Sequence, residues 1–167
     1  MQTMKMKLFE APLRLVEIDY RFRRHIELLV PILAELDLAK LSDKSGLEFD
    51  SRRVFIDIIP VHYDFAGLNI YIDKSQITIG FAEAEQYENH HDNSMTDLNL
   101  KAITGYLDGI IVKEHTNKNG RAIKRIYYYI DKTKIGTVAL FPFFAFKTTE
   151  KEILIVFKKP KRSNQSF

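Results

Sequence analysis

Apolar residues at Leu15, Ile18, Phe22, Ile26, Leu29, Leu33 and Leu36 recur every three or four positions, the stripe of an amphipathic helix. The spacing predicts a helix from about residue 13 to about residue 38. Pro31 lies inside the stripe and removes a backbone donor, so a kink or a break into two helices is expected there. The opposite face mixes Arg14, Arg21, Arg23 and Arg24 with Glu17, Asp19 and Glu27, as a solvated face does. Ser42 to Gly46, SDKSG, reads as a loop. From Arg53 the apolar period shortens to that of strands. VFIDII (54–59) is rich in β-branched residues and is stopped by Pro60. LNIYI (68–72) and QITIGF (76–81) flank Asp73-Lys74-Ser75, a short polar turn, and are expected to pair as an antiparallel hairpin.

Leu98, Ala102, Ile103, Tyr106, Leu107, Ile110 and Ile111 mark a second amphipathic helix, with Ser94, Thr96 or Asp97 available as N-cap. NKNG (117–120) is a turn signal, and RAIKRIYYYI (121–130) alternates basic and apolar positions before its tyrosine run. DKTKIG is expected to turn into TVALF, FFAF to resume beyond Pro142, and TTEKE to turn into ILIVF (153–157). The order of elements predicts an α+β fold, a mainly antiparallel sheet with two principal amphipathic helices. The expected organisation is one domain over residues 1–160 followed by a mobile basic tail over 161–167.

Composition narrows this picture. Hydrophobic residues at 46% and charged residues at 28% fit a folded globular chain rather than a disordered one. The absence of cysteine excludes disulfides, thiol catalysis and cysteine-based metal sites, and it fits a reducing compartment. MQTMKMKLFEAP lacks the apolar stretch of a signal peptide, and no run approaches the length of a membrane helix, so a cytoplasmic protein without membrane contact is expected. The net charge of +3 has a local origin in Lys158, Lys159, Lys161 and Arg162. In contrast, no Lys or Arg falls between Ser75 and Leu100, where Glu83, Glu85, Glu88, Asp92 and Asp97 gather with Tyr87 and the pair His90-His91. Like charges concentrated in one connection repel each other, which is explained most simply if that surface faces something positive.

Catalytic chemistry finds little support. His90, His91 and Asp92 with Glu88 offer zinc-ligand types, to which His62 and Asp64 would add, but the spacings of established zinc sites are missing. Glu83 and Glu85 would share a strand face if the strand continued that far, yet nothing apolar in sequence surrounds them to raise a pKa. No GxSxG elbow, P-loop or GxGxxG occurs. Tyr127-Tyr128-Tyr129 beside Arg121, Lys124 and Arg125 places aromatics among positive charges, as single-strand nucleic-acid platforms do, and sheet packing explains it equally well.

The ordered set ITIGF, EAEQYENHHD, DLNLKAITGYLDGII and RAIKRIYYYID, over residues 76 to 131, resembles the layout of small bacterial immunity proteins that guard a cell against polymorphic or contact-dependent toxins. In those families a strand leads through an acidic, aromatic and histidine-bearing segment into a helix, and a sheet strand follows. The resemblance implies a non-enzymatic protein without catalytic residues, metal or cofactor, which neutralises a protein toxin by binding its basic surface. The contact residues expected are Glu83, Glu85, Tyr87, Glu88, His90, His91, Asp92 and Asp97. The alternatives from the residues themselves are a small metal-dependent hydrolase built on the His90-His91 region and a single-stranded nucleic-acid-binding module.

Overall fold

Alternating buried residues organise the first half of the chain into a six-stranded sheet. The computed structural model describes residues 4–8, 15–83, 85–89, 95–140 and 148–160. Strands β1 (Met4–Met6), β2 (Gly46–Phe49), β3 (Arg53–Ile58), β4 (Leu68–Asp73), β5 (Ile77–Phe81) and β6 (Glu85–Asn89) pair with their sequence neighbours, all antiparallel. Val54, Ile56 and Ile58 of β3, Leu68, Ile70 and Ile72 of β4, and Ile77, Ile79 and Phe81 of β5 are buried on one face. The expected hairpin is present: Ile72 pairs with Ile77, and the Asp73 carboxylate accepts from the backbone N–H groups of Ser75 and Gln76 at 2.7 and 2.9 Å. A second, four-stranded antiparallel sheet holds β7 (Ile110–Thr116), β8 (Ala122–Tyr129), β9 (Lys134–Ala139) and β10 (Thr149–Ile155) in the order β10-β7-β8-β9. With helices α1 (Tyr20–Ala34) and α2 (Asp97–Asp108), the chain is an α+β protein with antiparallel sheets.

Several boundaries differ from those expected. The apolar stripe of residues 13–38 is buried at Ile18, Phe22, Ile26, Leu29, Leu33 and Leu36, but only its middle is α-helical. Asp19 sets the start, because its carboxylate accepts from the Arg21 N–H at 3.1 Å and holds the preceding residue out of the helix. A 3₁₀ turn (Leu15–Glu17) precedes it and another (Leu38–Lys40) follows. Pro31 does not divide α1 into two helices, since the buried Leu29 and Leu33 on either side carry the helix through it.

The second helix ends earlier than its apolar pattern implied. Thr96 caps α2, accepting from Asn99 N–H at 3.2 Å, and Gly109 closes it at φ +152°. A side chain at Gly109 would also meet Ile130 Cδ1 at 2.7 Å. Ile110 and Ile111, expected on the helix, therefore begin β7. Thr149 to Glu152, expected as a turn, belong to β10, where they pair with Thr116 to Lys113. β1, β2 and β6 have no counterpart in the sequence reading. Phe141, Phe143, Phe144 and Phe146, and the tail at 161–167, lie outside the described residues.

α2 ties the two sheets together. Its buried residues Ile103, Tyr106 and Leu107 join a single cluster with the inner faces of both sheets and with α1. Tyr106 is fully buried; its ring lies 5.2 Å from Phe81 at the end of β5 and 5.7 Å from Phe157 just beyond β10. Its hydroxyl donates to the Ala66 carbonyl at 3.2 Å, and burial holds its pKa well above the ordinary tyrosine value.

A second tie is ionic. Lys158 Nζ lies 2.7 Å from Glu35, the residue that ends α1, and 2.8 Å from Asp108 at the end of α2. Composition grouped Lys158 with the basic tail, yet its side chain is 13% exposed and so works as an internal pin. The backbone supports it, with Asp37 N–H donating to the Phe157 carbonyl and Lys159 N–H to the Glu35 carbonyl. Burial pulls the Lys158 pKa down, but the hydrogen bonds to Asp108 and Glu35 outweigh it and hold the pKa above the ordinary lysine value. No helix among the described residues is long and apolar enough to cross a membrane.

Truncating Tyr106 to Ala is expected to destabilise the fold by about 3–5 kcal/mol, whereas Tyr106→Phe, which leaves the Ala66 carbonyl unpartnered, costs about 1–2 kcal/mol. Chemical denaturation of the two variants checks the ratio; equal losses would mean that the ring packing is dispensable. Lys158→Met is expected to cost about 1–2 kcal/mol at neutral pH, a figure moderated because both carboxylates are half exposed. Since the folded pKa is raised, the stabilisation is complete below the unfolded lysine value of about 10.4 and is lost as pH climbs through the folded value. The melting-temperature gap between wild type and Lys158→Met should therefore close in strongly alkaline solution. A gap that persists there would assign the loss to packing.

Candidate interaction surface

The acidic segment is not a free connection. Phe81 ends β5, and Ala82, at φ +56°, begins a tight reversal fixed by its N–H donating to the Gly67 carbonyl at 2.7 Å. β6 then runs back along β5 with five residues in register: Glu85 opposite Phe81, Gln86 opposite Gly80, Tyr87 opposite Ile79, Glu88 opposite Thr78 and Asn89 opposite Ile77. β6 is the terminal strand of its sheet, with no further strand beside it among the described residues. Acidic residues suit such a position, because charge on an edge strand discourages indiscriminate pairing. Glu83 sits in the reversal and β6 begins at Glu85, so the two do not lie on one continuous strand as considered for a paired-carboxylate site.

Glu83 does meet a positive group, and it belongs to the same chain. Arg125 on β8 reaches out from the second sheet with Nη1 3.4 Å from Glu83 and Nε 2.8 Å from Glu114, its cross-strand partner on β7. The guanidinium carbon lies 3.7 Å above the centre of the Phe65 ring, a cation–π contact. Arg125 and Glu114 are 16% and 17% exposed, against 46% for Glu83, so the Arg125–Glu114 pair forms the core of this cluster and Glu83 its rim. Tyr127, two residues along β8, is fully buried and donates to the Phe65 carbonyl at 3.4 Å. Burial, with the Glu83 charge second, pushes its phenol up to about 12. Of the tyrosine run, Tyr127 is therefore core, Tyr129 packs against the core, and Tyr128 is half-buried, paired across strands with Ile111.

The other expected contact residues are distributed as follows. Glu85, Tyr87 and Glu88 are on β6, and Asp97 is the exposed first residue of α2, where a negative charge complements the helix dipole. His90, His91 and Asp92 lie outside the described residues. His62 is exposed, and Asp64 pairs with Lys44 at 3.3 Å. Among the described residues no group of three or more His, Asp or Glu is placed to hold a metal ion.

Residues that sequence reasoning passed over extend the acidic strand into a surface. Reading the pairing register across the outer face from β6, Glu88 is followed by Thr78, Tyr71, Phe55, Glu48 and Lys5. Phe55 and Tyr71 are half-buried and meet edge-on at 6.4 Å, and Lys5 pairs with Glu48 at 2.8 Å. In the neighbouring row Asn69 donates to Asp57, whose carboxyl burial holds above the usual range despite that bond. A shallow pocket of about 210 Å³ opens beside the aromatics, lined by Glu48, Asp50, Arg53, Phe55 and Tyr71. The outer face thus combines acidic groups with two accessible rings. Strand alternation is the signal that marked Phe55 and Tyr71 as facing away from the core; their alignment with Glu88 depends on strand pairing.

Comparison of the chain with protein-family models, with curated proteins and with solved structures finds no match in any of the three.

The hierarchy within the Arg125 cluster is open to measurement. Arg125→Ala removes the charge-assisted bond to the mostly buried Glu114 together with the Phe65 contact, and is expected to cost about 2–4 kcal/mol. Glu83→Gln, acting on a longer and more exposed contact, should cost no more than about 0.5 kcal/mol. Denaturant midpoints of the two variants, with a double-mutant cycle, decide it. A larger loss from Glu83→Gln would reverse the assignment of core and rim.

Proposed function

We propose that this protein is a non-enzymatic binding protein that docks a basic protein surface along β6 and the adjoining outer face of the six-stranded sheet. The observation that carries the reading is the register row in which Glu88 lines up with Thr78, Tyr71, Phe55 and Glu48. It joins the acidic segment to two half-buried aromatic rings on one sheet face. Acidic groups accelerate encounter with a basic partner and reject acidic ones, while rings such as Tyr71 and Phe55 supply contact energy once water is displaced. Of the acidic residues, Glu83 already has Arg125 and Asp97 has its helix terminus, whereas Glu88 occupies the register row of the outer face. Chemistry of this kind needs no cofactor and no catalytic constellation. In its most specific form, the reading is an immunity protein that neutralises a bacterial toxin, the role that the resemblance of residues 76–131 implies, acting in the cytoplasm where a toxin would be met.

The test begins with the gene order. A toxin gene is expected directly upstream, and its product, co-expressed with this chain, should co-purify with it. Glu88→Lys should then weaken the complex by about 2–5 kcal/mol where that charge is desolvated, and the melting temperature of the free variant separates a loss of binding from a loss of fold. Tyr71→Ala should cost about 2 kcal/mol of binding if the ring is an anchor. Glu83 is left unaltered, because reversing it also disturbs the Arg125 cluster. Equal affinity of wild type and Glu88→Lys, at unchanged melting temperature, would remove β6 from the contact surface.

A further inference from the structure

The hairpin of β7 and β8 closes through Asn117-Lys118-Asn119-Gly120 and carries a reactive pair at its tip. Gly120 N–H donates to the Asn117 carbonyl at 2.9 Å, and Asn117 N–H donates to the Arg121 carbonyl at 2.9 Å. The Asn117 side-chain oxygen accepts from the N–H groups of Asn119 and Arg121, both at 3.0 Å. Asn117 therefore builds the turn, and Gly120 takes the φ of +75° that the turn needs. Asn119 gives only its backbone N–H to these bonds, and both it and Gly120 are exposed. An asparagine followed by glycine has a chemistry of its own. The backbone nitrogen of the following residue can attack the side-chain carbonyl carbon, and a side chain on that residue obstructs the approach. The chain's other asparagines all precede residues that carry side chains; Asn119 alone precedes glycine. A Cβ built on Gly120 would meet nothing within 4 Å, so the space around the nucleophile is open.

Asp108-Gly109 offers the same ring closure in sequence, and the structure separates the two. Asp108 is held by Lys158 Nζ at 2.8 Å, and a carboxylate bonded to an ammonium is a poor electrophile. Gly109 is also crowded, with Ile130 Cδ1 at 2.7 Å and the Ile155 carbonyl at 3.2 Å from the position of a Cβ. Asn119 has neither restraint, since its side chain is a neutral amide and Gly120 is unobstructed. We infer that Asn119 is a site of spontaneous modification, at which the side chain cyclises onto the Gly120 nitrogen and the turn acquires an isoaspartate. The Gly120 N–H first leaves the Asn117 carbonyl in a local opening of the hairpin tip. It then gives its proton to hydroxide, because the nitrogen lone pair is delocalised in the intact amide. The nitrogen bonds to Asn119 Cγ, the Cγ–Nδ2 bond breaks, and ammonia departs with a proton taken from water, leaving a succinimide. Water opens that ring at Cγ to give aspartate, or at the main-chain carbonyl to give isoaspartate, whose backbone runs through the side-chain carbons. Either product carries one more negative charge than asparagine. Isoaspartate also lengthens the backbone between Asn117 and Arg121, which disrupts the spacing of the bonds that Asn117 makes. The site lies on the second sheet and is independent of the function proposed above.

Incubation of the purified, folded protein at physiological temperature and mildly alkaline pH tests the assignment. Ion exchange is expected to resolve a species with one positive charge fewer than the starting +3, and peptide mapping should place the change at residue 119, mostly as isoaspartate. The rate should rise in proportion to hydroxide, which draws the proton. Asn119→Ser should abolish the new species and leave the melting temperature unchanged, because that side chain holds no part of the turn together. Asn117→Ala, which removes the side-chain acceptor, should speed the reaction. Residue 108 should isomerise only after denaturation frees it from Lys158. The inference is overturned by a folded protein in which another asparagine reacts as fast as Asn119, or in which isoaspartate forms at 108 as readily as at 119. It is overturned equally if residue 119 stays intact in the folded protein while the urea-unfolded chain converts. A rate that Asn117→Ala leaves unchanged would overturn the opening of the turn as the controlling step.

Discussion

The burial of Tyr106 is the constraint on which the rest of the architecture depends. Neither sheet can hide its inner face alone, and α2 is the element placed between them. A single ring on that helix touches Phe81 from the first sheet and Phe157 from the end of the second, and its hydroxyl satisfies the Ala66 carbonyl in the turn that leads into β4. A phenol can do this because it combines a large apolar body with one polar tip, and a buried tip must find an acceptor. Gly109 then ends the helix where the chain has to enter β7, so the second sheet is positioned relative to the first by the length of α2.

Around that centre, the polar links between elements are few and graded by burial. Lys158 draws the ends of α1 and α2 together with two short contacts, and Arg125 joins β7, β8 and the Phe65 turn. Both cations keep most of their side chain out of water while their outermost carboxylates remain half exposed, the regime in which an ion pair has a full complement of hydrogen bonds without carrying an unpaired charge into the core. The acidic segment is organised by the same logic. Its first carboxylate is held by Arg125, and the backbone of Glu85–Asn89 is fixed by pairing to β5.

The uncommitted surfaces fall on different sides of this frame. The outer face of the six-stranded sheet offers acidic groups and aromatic rings; the groove between α2 and the β8–β9 turn offers the exposed Leu98 and Ile130.

The local periodicities were legible in the sequence. The β-branched alternation of β3, β4 and β5, the Asp73-Lys74-Ser75 turn and the buried stripe from Ile18 to Leu36 follow from side-chain shape and spacing, which neighbouring residues specify, whereas the choice of Thr96 over Ser94 or Asp97 as the cap of α2 came from the structure. The acidic window and its aromatics were legible as well, as composition. What the linear pattern left open was decided by pairing. GLEF and EQYEN become strands because β3 and β5 provide partners for their backbone groups, and Ile110 and Ile111 leave the helix because Gly109 stops it and β8 and β10 accept them. The partners of Glu83 and Lys158 lie 42 and 123 residues away for Arg125 and Glu35, so no window of sequence contains both members of either pair. Hydrophobic period is a property of a segment, while register and charge pairing are properties of two segments brought together; the first is written locally, and the second exists only once the core has closed.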